Sequence, residues 1–375
     1  MLSIYDDYPI HQGSAPVATP ATTDRNFFER YWFNGYHKEG EYIFAISQSV
    51  APNRRVMDGA FSVVLDGVQH SFHASCLNTP HRNRTVVGPF SVEVVSPLRE
   101  LRVKLEPNDT GIACDLLFKA RTAAVLEPRN KMEVDGVEII DHSRLTQFGR
   151  WEGWIKVNNN HIELRREETY GVRDRSWGIR PIGEPHGGYP GSKIPQVYWL
   201  WAPLHFDECC THFALFENSE GEQGKGTGGV VIRTHDDQEV PIESDCEAEH
   251  MASVSQKIWL KPGIRQVERA EVTLTPDNGQ KRSISLEPLG QLIHLHGVGY
   301  MHQEWGHGMW KGENVHASES WVLDEVDLTD PRFVHQQHVC RATMGKQEGL
   351  GVLEQFFLGE HEPSGFVGLM DVKQS

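Results

Sequence analysis

The residues best suited to chemistry lie in one run, Arg165 to Gly188, which reads RREETYGVRDRSWGIRPIGEPHGG. Arginines, acids, Tyr170 and Trp177 crowd together there, between segments that otherwise read as plain β-structure. A surface loop would be rich in Ser, Asn and Lys, and a core strand would be apolar. Large aromatics mixed with opposite charges point instead to charged groups held in a partly buried cavity. Asp174 sits between Arg173 and Arg175, and on a strand both arginines point to the face opposite it. An Asp174 directed into an apolar barrel beside Trp177 would have its pKa raised by desolvation and could give a proton to an alkene or carbonyl near neutral pH. The other role open to it is structural, as an acceptor of hydrogen bonds from backbone or Arg. Positions 174 and 177 differ by three, so both reach one cavity only if the strand bulges, bends or ends near Ser176. Tyr170 is a candidate donor to a substrate oxygen.

A second run, His294 to Val322, holds His294, His296, His302, His307 and His316 with Glu304 and Trp305. The His-x-His spacing of His294 and His296 places two imidazoles on one face of a strand, which opens a metal-dependent barrel enzyme as an alternative. The reading preferred from the sequence has no metal and no cofactor, with His302, Glu304 and Trp305 facing the same cavity as Asp174. The glycine-rich Gly221–Gly229 segment lacks the phosphate-loop spacing and leads into a strand. No nucleophile elbow or HExxH motif occurs.

The elements that position these residues read as strands. With 35 glycines, 20 prolines and 10 tryptophans in 375 residues, and many short alternating runs, the chain belongs to the all-β class. Hairpin signals stand at Asp66-Gly67, at Asn158 to Asn160 and at Asn278-Gly279. The sequence divides into an irregular, proline-bearing arm over 1–23, a first β-domain over 24–190 and a second over 191–375, where Gln196 to Phe206 restarts a strand series after a Gly/Pro-rich connection at 183–195. A net charge of −16, with arginines interleaved among acids, excludes a nucleic-acid partner. No apolar run reaches the length of a membrane span, and the first residues have neither a basic nor an apolar leader region, so a cytoplasmic location is expected. A homodimer is compatible with this reading. Six cysteines without CxxC spacing, Cys246 among them, read as buried free thiols.

The run Tyr170-Gly171-Val172-Arg173-Asp174-Arg175-Ser176-Trp177-Gly178 resembles the Asp-x-x-Trp-Gly signature of the AttH-like superfamily, which includes carotenoid 1,2-hydratases and Diels–Alderase-type cyclases. The segments QEWGHGMWKGE and VCRATMG are similar to second-half motifs of bacterial members. The resemblance implies two lipocalin-like antiparallel β-barrels, or half-barrels, packed together. It also implies a cofactor-independent lyase or isomerase, most concretely a hydratase acting on a hydrophobic terpenoid, steroid or polyketide-like molecule. On that likeness Asp174 is the general acid and the π-face of Trp177 stabilises a cation; Tyr170, Glu304 and His302 are the expected helpers, and Trp177, Arg173, Arg175, Trp305 and Trp199 the expected substrate-binding residues. Arg175 and Ser176 depart from the hydratase pattern before the Trp, which suggests a more oxygenated substrate. A non-catalytic carrier of a hydrophobic ligand is the other function such a barrel serves.

Overall fold

A computed structural model of the chain describes residues 1–11, 13–134, 136–184, 196–236, 238–242 and 247–372. Cys246, most of the connection expected at 183–195 and the domain boundary placed at 190/191 lie outside the described residues.

Two large antiparallel sheets dominate the structure, beside a two-stranded one formed by Phe366–Val367 and Asp371–Val372. The first contains β1 (Phe27–His37), β2 (Ile43–Ala51), β3 (Val56–Leu65), β4 (Val68–Leu77), β5 (Phe90–Ser96), β6 (Glu100–Leu105), β7 (Ile112–Ala120), β8 (Val137–Val157) and β9 (Thr169–Ile179). Its spatial order runs β4-β3-β2-β1-β9-β8-β7-β6-β5. The turn between β3 and β4 falls at Asp66-Gly67, both at positive φ, as the hairpin signal requires. The second sheet contains β10 (Val197–Trp201), β11 (Cys209–Glu217), β12 (Gly228–Arg233), β13 (Ser253–Leu260), β14 (Val267–Thr275), β15 (Arg282–His294), then β17 (His335–Met344) and β18 (Gln347–Leu358), in the order β12-β11-β10-β18-β17-β15-β14-β13. Between β15 and β17 the chain crosses back, and β16 (Val315–Val322) pairs antiparallel with β4 at the edge of the first sheet.

Each sheet curls around its own core. In the first, Tyr31, Phe33, Phe44, Phe61, Leu116, Phe118 and Trp151 meet. Gly59 is where β5 closes onto β3, since a Cβ there would stand 2.4 Å from the Phe90 ring. Tyr198, Leu200, Leu215, Val272, Leu286 and Phe357 fill the second. A third apolar cluster joins the convex faces of the two sheets: Trp32, Tyr36, Phe148 and Val172 against Trp199, Trp201, Val339 and Val352, with Trp32 and Trp201 edge to face at 5.7 Å. Strand β1 is therefore covered on both sides and buried at every position, which is why its sequence, FFERYWFNGYH, lacks a solvated face. This is the all-β, two-half-barrel architecture expected from the sequence. Among the described residues no helix is long and apolar enough to cross a membrane.

The N-terminal arm enters the first half-barrel. Asp7 is fully buried, its backbone carbonyl accepts the Tyr31 hydroxyl at 2.6 Å, and its carboxylate accepts the Leu98 amide at 2.5 Å.

Candidate functional site

Strand β9 decides what Asp174 can reach. Its register with β1 is unbroken from Arg173 opposite Phe33 to Ile179 opposite Phe27, and β8 pairs with the same stretch from Gly171 to Ile179. The bulge, bend or strand end near Ser176 that would bring Asp174 and Trp177 into one cavity is absent. Gly178, at φ 135°, serves close approach instead, because a Cβ there would lie 2.3 Å from the Asp141 carbonyl oxygen. Strict alternation thus sends Asp174 and Ser176 toward the second sheet and Arg173, Arg175 and Trp177 into the first half-barrel.

The expected pairing of Asp174 with Trp177 in one cavity is corrected by this geometry. Trp177 stacks on His11 of the arm, ring centroids 4.1 Å apart. Arg173 donates to Asp7 Oδ1 at 2.6 Å and Oδ2 at 3.2 Å and to Gln147 Oε1 at 2.8 Å. Arg175 pairs with Glu29, which Arg82 also contacts, and donates to the Tyr8 carbonyl at 3.0 Å. Both guanidiniums are fully buried and held by protein groups, with Arg175 Nε alone left without a hydrogen-bond partner among the described residues, and neither points where Asp174 points.

Asp174 faces a closed circuit of side chains at the junction of the sheets. Its Oδ2 lies 3.6 Å from Arg30 Nη2. Arg30 donates to the Tyr300 hydroxyl at 2.5 Å, and the Tyr300 ring meets His335 edge-on at 4.6 Å. His335 Nε2 donates to Glu354 Oε1 at 2.8 Å, which also accepts Trp199 Nε1 at 2.8 Å. The Trp199 ring lies under Arg144, 5.4 Å from its guanidinium carbon, and Arg144 pairs with Glu127 beside Asp174.

The electrostatics of this circuit shift the aspartate toward its protonated form. Asp174 is 4% exposed. Burial pushes its pKa above the usual carboxylate value; Arg30 and Arg144 pull it back without cancelling the effect, and Glu127 adds to the rise. Glu127 and Glu354 move the other way: both are buried, but Arg144 and His212 hold Glu127 low, and His335, Gln337 and Trp199 hold Glu354 low. Asp174 Oδ1 has no hydrogen-bond partner among the described residues, nor have Ser176 Oγ, Trp32 Nε1, Arg30 Nε and Ser47 Oγ on the same face. Buried polar atoms are seldom left unpaired, and these five share one face of the first sheet.

Of the residues predicted from sequence, only Trp199 joins Asp174 in this circuit. Tyr170 shares its face but packs on His205 (5.1 Å) beneath Arg150 (4.7 Å). His302, Glu304 and Trp305 line another cleft of about 280 Å³, with His73, His296 and Glu319. That cleft begins at His73, and the register from Asp174 through Trp32, Ser47 and Ala60 to His73 spans four strand spacings, roughly 19 Å. Glu304 is exposed and lies 3.7 Å from Lys311, while Trp305 stacks on His73 at 5.6 Å.

The second cleft gathers three metal-type donors that the His-x-His pattern did not indicate, His73, His302 and Glu319, all within 4.8 Å of one another. His294 and His296 do not converge, because the strand gives way to a 3-10 turn over Leu295–Val298. His294 Nδ1 contacts the Phe333 carbonyl, and His296 stacks on His302 at 4.2 Å. The tautomer of His302 opposes a cation. Its Nδ1 accepts the amides of Glu304 and Trp305, each at 3.0 Å, so in the neutral ring Nε2 carries the proton. That Nε2–H and His73 Nε2 meet Glu319 Oε1 at 3.0 Å each. Ligation through His302 Nε2 would require a proton on the nitrogen that two amides already occupy, or an imidazolate.

Sequence reasoning missed Arg30, Arg144, Tyr300, His335 and Glu354. The available signal was a charge inside an apolar strand run, as with Arg30 in FFERYWF and Glu354 in LGVLEQFFL.

Residues 2–367 match the family described as "Family of unknown function (DUF8625)", and the chain belongs to that family. No curated protein matches it. Among solved structures, kievitone hydratase from Nectria haematococca is similar at a TM-score of 0.52 with 12% identity, covering 88% of each chain. CghA is similar at a TM-score of 0.47 with 10% identity over 90% of each chain, and CghA with Sch210972 at 0.45 with 11% identity over 89% of each. The likeness to kievitone hydratase is one of fold, and it bears out the two-half-barrel resemblance read from the Asp-x-x-Trp-Gly run.

Proposed function

We propose that this member of the DUF8625 family is a lyase or isomerase that works by proton transfer from Asp174, most concretely a hydratase of a hydrophobic but oxygenated small molecule of terpenoid, steroid or polyketide type. The observation that carries the proposal is the Asp174 carboxyl itself, buried, raised in pKa, and presenting an unpartnered oxygen at the junction of the sheets. Such a group is protonated where an exposed aspartate is not, so it can act as a general acid. In the hydration direction its proton goes to one alkene carbon, a water oxygen bonds to the other, and the proton lost by that water returns to the carboxylate. Arg30, 3.6 Å away, stabilises the carboxylate in the interval after transfer, and Trp199 presents an aromatic wall. The name of kievitone hydratase, a protein similar in fold, agrees with this class of reaction.

The test is turnover and binding of oxygenated alkenes by wild type and Asp174→Asn. Lost turnover with retained binding supports the acid. A carrier, which needs no tuned carboxylate, would show binding without turnover in both proteins, and equal turnover in both would refute the role of Asp174.

A further inference from the structure

The cleft of about 280 Å³ at the edge of the first sheet holds a carboxylate without a cation. Glu319, on β16, lines it. Its Oε1 meets His73 Nε2 and His302 Nε2 at 3.0 Å each, and its Oε2 has no hydrogen-bond partner among the described residues. No Lys or Arg among those residues lies within ion-pair distance of it. Arg332, which also lines the cleft, is committed to Asp330 through Nε at 2.8 Å and Nη2 at 2.6 Å. The other acid there, Glu304, is matched by Lys311 at 3.7 Å.

Hydrogen-bond geometry makes both histidines neutral. His302 Nδ1 accepts two backbone amides, which leaves no room for a second ring proton. His73 is 2% exposed, and its Nδ1 is buried with no partner among the described residues; a proton on that nitrogen would be a buried donor with nothing to receive it. Burial likewise holds the His73 pKa below its usual value, against the pull of Glu319 and Asp58. Two neutral N–H donors therefore hold an ionised carboxylate. Burial acts to raise the Glu319 pKa, and the hydrogen bonds from His302 and His73 outweigh it and keep it low.

Beside this carboxylate runs a row of flat rings lining the same cleft. Trp305 stacks on His73, His73 meets His302 edge-on at 5.1 Å, and His302 stacks on His296. His296 is 4% exposed, and its Nδ1 is also unpartnered among the described residues. At the rim the chain already makes the contact such a surface favours: the Lys311 ammonium lies 5.9 Å from the Trp305 ring centroid while it pairs with Glu304.

We infer that this cleft binds a small organic ammonium with a flat apolar body, which donates an N–H to Glu319 Oε2 and lays its body against Trp305 and the histidine rings. The ammonium supplies the positive charge that Glu319 lacks, and the rings add cation–π and stacking contacts. Four strand spacings, roughly 19 Å, separate His73 from Asp174, so this is a second site whose occupancy is independent of proton transfer by Asp174.

The experiment compares benzylamine with benzyl alcohol, similar in shape and different in charge, as ligands of the full-length protein by calorimetry at pH 7.5, with thermal melting of each variant as a control for folding. The amine is expected to bind about 10-fold more tightly, the lower end of the worth of a charge-assisted hydrogen bond, because Glu319 is a third exposed. Glu319→Gln keeps an oxygen for His73 and His302 and should abolish the preference. Glu304→Gln, which removes the other acid of the cleft, should retain it, and Trp305→Leu should weaken the amine about 3-fold. Asp174→Asn should bind benzylamine as wild type does, so its turnover bears on the general acid alone. Equal affinity of wild type for the two ligands, failure of both to bind, a preference that survives Glu319→Gln, or one lost in Glu304→Gln would overturn the inference. Zinc chloride titrated in place of the amine should reveal no site sensitive to His302→Gln; a stoichiometric zinc site lost in that variant would overturn the inference too, since the cation of the cleft would then be a metal.

Discussion

Replacing Asp7 by Ala should destabilise the protein far more than its place in an N-terminal arm suggests. The carboxylate accepts two hydrogen bonds from Arg173 and one from the Leu98 amide, and both side chains of the ion pair are fully buried. Removing one partner of a buried ion pair typically costs about 3–5 kcal/mol, because the other charge stays in the interior uncompensated. Summing three charge-assisted hydrogen bonds separately would give about 5–9 kcal/mol, but the bonds share one carboxylate and are not additive, so the lower range applies. The paired replacement Asp7→Leu with Arg173→Met should recover most of the loss, since apolar groups of similar volume remove both charges. Urea unfolding followed by tryptophan fluorescence reads the difference as a shift in midpoint at constant slope. A loss below about 1 kcal/mol for Asp7→Ala would refute the reasoning, showing that water reaches Arg173 or that the arm is not docked. The experiment also decides what Arg173 does: a substrate-orienting arginine would tolerate loss of Asp7 in stability and lose binding, whereas an arginine that anchors the arm does the reverse.

Two further outcomes follow from buried carboxylates. Burial raises Asp58 from 3.8 to about 7, against the hydrogen bond from the Gly308 amide and the Ser49 hydroxyl. A carboxyl raised in the folded state opposes folding once the unfolded chain ionises, so stability should fall as pH rises from about 4 to 7, by up to about 4 kcal/mol from this group. Asp58→Asn should flatten that slope and melt higher than wild type at pH 8, and an unchanged pH profile would contradict it. Glu354→Gln places an amide donor among His335, Trp199 and Gln337, all of which donate to the native carboxylate. Leaving one buried donor unpaired should lower stability by about 1–3 kcal/mol, measured by denaturant unfolding, and the variant should quench Trp199 differently. No change in either signal would mean that the circuit is not closed through Glu354.

Much of the fold was legible because sheets leave local marks. The turn at Asp66-Gly67 and the one-sided alternation of β7 needed only nearest neighbours. The crossing of β16 onto β4 was not legible, since nothing in VHASESWV distinguishes an edge strand of one sheet from that of the other. The candidate site divides on the same line. Asp174 stood out because a carboxylate flanked by arginines inside a strand is locally odd. Trp177 and His302 stood out by proximity in sequence, and proximity misdirected: period-two alternation turns Trp177 away, and the 3-10 turn after His294 carries His302 to a different cleft. Tyr300, His335 and Glu354 reach the Asp174 circuit only through contacts between elements more than a hundred residues apart, which composition and spacing do not encode.

The central proposal is that burial makes Asp174 hold its proton to higher pH than an exposed aspartate does, and isotope-edited infrared spectroscopy of aspartate-labelled protein tests it most directly. At pH 6, where an exposed aspartate with a pKa of about 3.9 is ionised, the wild-type spectrum minus that of Asp174→Asn should retain a protonated carboxyl band. That band should convert to the carboxylate pair as pH rises. A difference spectrum showing only carboxylate bands at pH 6 would contradict the account, and Asp174 would then be a structural counter-ion to Arg30.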